Sequence, residues 1–141
     1  MDNYDRILVP TDGSEGAEVT VEHAAEIAEK FDAEVHTVYV VDVRAASTQE
    51  VILGLMEELR EIGDRATESI AEQLQESGVE AVTEVEEGIP HKEINSYVEE
   101  NDINLVVMGT HGRTGLNRLM VGSTTEKVVR TSTVPVMTVM R

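Results

Sequence analysis

Short apolar runs alternate along this chain with stretches of helical periodicity, and that alternation constrains the fold more than any other feature. Five runs have strand character: residues 6–10 (RILVP), 34–42 (EVHTVYVVD), 80–88 (EAVTEVEEG), 104–109 (NLVVMG) and 134–141 (VPVMTVMR). Between the first two, Ala17, Val21, Ala24, Ala25 and Ala28 recur at helical spacing. A long amphipathic segment follows from about Gln49 to Ser77, with Ile52, Leu55, Met56, Leu59, Ile62, Ala66, Ile70 and Leu74 on one stripe. Gly78 ends it, Pro90 suits the first turn of a helix running to Asn101, and a last helix spans about Thr124 to Thr131. Residues 43–48 read as a loop. The alternation predicts an α/β fold, a single open doubly wound five-stranded parallel sheet with helices on both faces. The third run alternates Val with Glu, which predicts an edge strand with one wet face. Residues 1–141 read as one domain, whose core Val, Ile, Leu, Ala and Met must build because aromatic residues are only 3%.

In such a sheet, ligands sit beyond the carboxyl ends of the strands where the winding reverses. The two turns placed there by the expected topology are VPTDGS after the first strand and GTHGRTG…VGST after the fourth. Both are polar and glycine-rich. From residue 109 to 130 the chain gathers Gly109, Gly112, Gly115 and Gly122 with Arg113, Arg118, Lys127 and Arg130, against the lone acid Glu126. Glycine lets backbone N–H groups approach an anion without a Cβ in the way. Gly122 and Ser123 precede a helix whose N-terminus attracts phosphate, and the hydroxyls of Ser123, Thr124 and Thr125 can bind oxygens or cap the helix. The pattern points to an anionic ligand, a nucleotide phosphate first. No GxGxxG and no GxxxxGK[ST] occurs, which excludes the dinucleotide fingerprint and the P-loop.

Composition narrows the function classes. The formal net charge of −17 argues against nucleic-acid binding, since polyphosphate would be repelled at long range. There is no cysteine, hence no disulfide and no thiol chemistry. No apolar run approaches a membrane span and the N-terminus lacks a signal-peptide pattern, so a soluble, cytoplasmic protein is expected. Three lysines against eight arginines, on an acid-rich chain, resemble proteins of high-salt cytoplasm; an ordinary acidic mesophilic protein is the alternative. His23, His36 and His91 have no metal-ligand spacing and read as structural or surface residues. The acids Glu57, Glu58, Glu61 and Glu68 read as a solvated helix face.

The spacing Gly109-x-x-Gly112, nine residues, then Gly122-Ser123, followed by a short helix, Pro135 and a terminal strand, resembles the universal stress protein family. The opening ILVPTDGS is similar to that family's first strand and turn, and the likeness covers the whole chain. It implies a sheet in the order 3-2-1-4-5 and, from the intact glycine motif, membership of the ATP-binding branch. By position it implies that Pro10, Thr11, Asp12 and Gly13 line the pocket, with Asp12 at the ribose or a phosphate-side contact. Val40 would touch adenine through its backbone. Met108, Gly109, His111, Gly112 and Arg113 would lie along ribose and phosphates, and Gly122, Ser123, Thr124 and Thr125 would close around the phosphates. The resemblance also implies ATP or another adenine nucleotide with Mg²⁺ or Mn²⁺ alongside, and a homodimer through residues 136–141.

Two local alternatives stand beside these roles. Asp12 in TDGS is a sufficient turn-former by itself, and His111 can be a solvated loop residue. Nothing in the chain marks a general base beside a nucleophile, so a nucleotide-binding regulatory module ranks first. A slow ATPase or nucleotidyl or phosphoryl transferase, and a nucleotide-free dimeric scaffold, are the alternatives; the downstream protein is unknown.

Overall fold

The computed structural model describes residues 4–14, 17–45, 49–110 and 122–140, with side chains omitted at 45 and 49–53. In chain order the elements are β1 (Arg6–Thr11), α1 (Ala17–Phe31), β2 (Glu34–Asp42), a 3-10 turn (Val43–Ala45), α2 (Gln49–Glu76), β3 (Ala81–Gly88), α3 (Pro90–Glu100), β4 (Leu105–Gly109), α4 (Ser123–Thr131) and β5 (Val136–Val139). The five strands form one parallel sheet in the order β3-β2-β1-β4-β5. Strand β1 lies at the centre, with Ile7 opposite Val35 on one side and Leu105 on the other. The chain winds from β1 out to β3, then returns to β4 on the far side of β1. The switch point therefore falls between β1 and β4.

The apolar runs are continuous because both sheet faces are covered. Successive residues of β1 go to opposite sides. Ile7 and Val9 join Val35, Leu105 and Val107 against Val21, Ala24 and Ala28 of α1 and Ile70 and Leu74 of α2. Leu8 joins Val38, Val106 and Met108 against Ile94, Tyr97 and Val98 of α3 and Val128 of α4. Two cores result, one on each face. The helices sit on both faces as the alternation predicts, α1 and α2 on one and α3 and α4 on the other.

Local signals set several ends as expected. Pro90 occupies the start of α3, and the N–H of the capping residue Asn101 donates to Tyr97 O. Gly78 after α2 has φ of +76°, the left-handed stop that ends a helix. Residues 43–48 are not wholly loop, since Val43–Ala45 coil into a 3-10 turn; the Asp42 carboxylate accepts from Arg44 N–H at 3.0 Å and from its guanidinium, which favours that coil. Among the described residues, no helix is long and apolar enough to cross a membrane.

Candidate functional site

At the switch point the carboxyl ends of the strands open into a cleft of about 130 Å³. That is close to the ~150 Å³ of a cavity that takes a single benzene ring. It suits one planar ring, with the rest of a larger ligand on the open rim. Of the residues singled out from the sequence, Pro10, Thr11, Asp12, Val40, Met108, Gly109 and Thr124 line it. Three strands and all four helices contribute, so the site exists only in the assembled fold.

The first lip is a turn built by its own side chains. Thr11 Oγ1 accepts from the Gly13 N–H at 3.1 Å, and Asp12 Oδ1 accepts from the Ser14 N–H at 2.9 Å. Asp12 is thus the turn-former its setting predicts, while also lining the cleft. Gly13 itself does not line the cleft. Its φ is +79°, and a Cβ there would lie 3.3 Å from Ile62 Cγ2 of α2, so it lets the turn pass beneath that helix.

The second lip begins where β4 ends. The Gly122 N–H donates to Thr110 O at 2.7 Å, so the chain returns to the point from which it left. Helix α4 starts at once, with Gly122 as its N-cap residue in extended conformation and with no side chain to cap the first turn. The N–H groups of Ser123, Thr124 and Thr125 have no acceptor within the helix and are the donors an anion would meet. Ser123 is exposed and Thr124 half-buried. Thr125 is buried, and its hydroxyl donates to Gly109 O at 3.0 Å. Its side chain ties α4 to β4, and its N–H is the group left for a ligand. His111, Gly112 and Arg113 lie outside the described residues.

His91, next to the cleft-lining Pro90, is held below the usual histidine range by burial, then by Lys127, Lys92 and Arg44. These three cations are carried by α3, α4 and the turn after β2. Among the described residues, no group of three His, Asp or Glu is placed to hold a metal ion.

The cleft contains residues that sequence reasoning passed over. The helical periodicity marks Ala17 and Ile70 as core positions, and no sequence pattern marks Val38 or Ile94 for the cleft they line. Thr20 carried a signal, a polar residue on the buried stripe of α1 between Ala17 and Val21.

Comparison with known proteins agrees with this architecture. The universal stress protein family model matches residues 3–140. A universal stress protein of Methanocaldococcus jannaschii is 40% identical over 142 residues, covering 96% of this chain and 82% of that one. The structure of universal stress protein UspA from Lactobacillus plantarum is similar with a TM-score of 0.85 and 31% identity, covering 100% of each chain. The universal stress protein from Archaeoglobus fulgidus solved in complex with dAMP has a TM-score of 0.69 at 22% identity, over 96% of this chain and 97% of that one, a likeness of fold. Matched by the family model along nearly its whole length and by a relative of this identity, the chain belongs to the universal stress protein family.

Proposed function

We propose that this protein is a stress-response regulatory module that binds an adenine nucleotide, ATP first, in the cleft between β1 and β4. The observation that carries the reading is the pairing of a ring-sized cleft with the uncapped start of α4 at the switch point. Val40 and Met108 flank the base and ribose, Asp12 faces the ribose or a phosphate-side contact, and the N–H groups of residues 123–125 take the phosphates. Gly109 and Gly122 keep that lip low; the contacts expected of His111, Gly112 and Arg113 fall outside the described residues. The dAMP held by the Archaeoglobus relative supports an adenine ligand. Mg²⁺ or Mn²⁺ would arrive with the phosphates, with Asp12 the carboxylate that lines the cleft. Binding ranks ahead of turnover, with a slow ATPase or nucleotidyl or phosphoryl transferase as the alternative, because the chain marks no general base beside a nucleophile.

The same chain is proposed to act as a homodimer, residues 1–141 forming one domain. Strand β5 is an open sheet edge, and Val129, Met137 and Met140 expose apolar surface beside it. Antiparallel pairing of two β5 strands would cover both. Met140→Lys is expected to shift the protein to monomer in sedimentation, and an unchanged dimer would remove this pairing.

Calorimetric titration of ATP with Mg²⁺, at low and at multimolar salt, tests the nucleotide reading. Micromolar binding is expected. Gly122→Val, which sets a branched side chain over the first turn of α4, should weaken it at least tenfold with the fold intact. A folded protein that binds at neither salt would overturn the reading.

A further inference from the structure

We propose that Thr20 is a specificity-determining contact of the cleft, whose hydroxyl turns onto the nucleoside part of the bound nucleotide. The inference rests on the nucleotide reading above and names a residue of α1 for it. Thr20 lines the cleft, as do Ala17 of its own helix and Ile70 of α2. It is 4% exposed, and its Oγ1, closed to solvent, has no hydrogen-bond partner among the described residues. A threonine within a helix commonly returns its hydroxyl to a carbonyl one turn back. Thr67 does so, to Gly63 O at 2.9 Å, and Thr131 does so, to Lys127 O at 2.6 Å. Thr20 does not.

An unmatched buried hydroxyl destabilises the ligand-free protein, and a valine of the same shape would fill the position without that cost. Thr37 is a second unmatched hydroxyl, but it lies within the sheet and does not line the cleft. Thr20 differs in having a ligand space beside it. Rotation about χ1 moves the oxygen to another position on Cβ without displacing the helix, and helical threonines populate two such rotamers. A ligand that supplies a partner there would favour the turned state. The group it meets is assigned to the nucleoside because the anion donors gather at the start of α4, whereas Thr20 is carried into the cleft by α1. A hydroxyl both donates and accepts, so it reads a heteroatom of the base edge or ribose and disfavours a ligand lacking one.

The test compares wild type, Thr20→Val and Thr20→Ser by thermal melting without nucleotide, and by calorimetry with adenosine and with ATP–Mg²⁺. Thr20→Val should melt higher than wild type when empty, yet bind adenosine and ATP roughly three- to tenfold more weakly, the size of one hydrogen bond. Thr20→Ser, which keeps the oxygen, should bind as wild type does. If Thr20→Val binds both ligands as tightly as wild type, this inference falls and the nucleotide reading stands. A loss confined to ATP would place the contact on a phosphate and overturn the nucleoside assignment. A lower melting point for the empty Val variant would show a structural hydroxyl, against the inference. Wild type that binds neither ligand brings down the nucleotide reading and this one with it.

Discussion

Single buried polar atoms separate the structural residues of this protein from those that serve its cleft. His36 is 6% exposed on β2, with Nδ1 2.6 Å from the Tyr97 hydroxyl and Nε2 2.9 Å from a Glu34 carboxylate oxygen. Both ring nitrogens are satisfied, which is why a histidine without metal spacing is tolerated in the core. Tyr97 is pushed up to about 12, chiefly by burial and then by Glu84, Glu86 and Glu34. The hydrogen bond to His36 outweighs partial burial and holds Glu34 below its ordinary 4.5. A depressed carboxylate stabilises the fold above the unfolded value and loses that contribution as pH falls through the lower folded value. Glu34→Gln should therefore be less stable at neutral pH, with the gap to wild type closing below about 4.5; urea midpoints across roughly pH 3 to 7 would show it. A gap that stays constant with pH would refute the role given to the charge. Thr37, fully buried with an unmatched hydroxyl, calls for the opposite change. Thr37→Val should stabilise by about 1–2 kcal/mol, read as a higher urea midpoint at unchanged slope.

Among the elements, α2 departs furthest from its sequence pattern. Its stripe of apolar residues predicts one buried face, yet of that stripe only Ile70 and Leu74 are buried; Leu55, Met56, Leu59, Ile62 and Ala66 are half-buried, and the side chain of Ile52 lies outside the described residues. The 28-residue helix is about 42 Å long at 1.5 Å per residue, whereas the 9-residue β2 spans about 30 Å, so the helix outruns the sheet it covers. The pattern of Val and Glu in β3, by contrast, marked the edge strand, although its burial does not alternate: Thr83, Glu84 and Glu87 are exposed while Val82, Val85 and Glu86 are half-buried. Two glycines within α2 look equivalent in sequence and are not. A Cβ on Gly63 would lie 2.6 Å from the Tyr39 ring, while one on Gly54 meets nothing within 4 Å. Gly54→Ala should stabilise by about 1 kcal/mol through helix propensity. Gly63→Ala should destabilise by about 1–3 kcal/mol, because the crowding of the ring exceeds that gain. Thermal melts of the two variants decide it, and equal shifts of the same sign would contradict the close packing of α2 on β2.

Across the whole molecule, a net charge of −17 works against compaction, and salt relieves it. Raising NaCl from about 0.1 to 1 M shortens the Debye length from about 10 to 3 Å, so the melting temperature should rise over that range. A fall would mean that the surface ion pairs, such as Arg6 with Glu34 and Arg44 with Asp42, outweigh the repulsion. From its residues alone the chain determined the alternation of strands and helices, the edge character of β3 and the two polar lips at the switch point. Each of these is written in contiguous residues, as periodicity, turn chemistry or glycine spacing. The strand order came from the family resemblance, and the sheet has that order. Only the tertiary structure decided that Thr20 and Ile70 join the cleft and that Thr125 spends its hydroxyl on Gly109. Those facts depend on which helix face meets which strand end, contacts between residues far apart in the chain that no local pattern encodes.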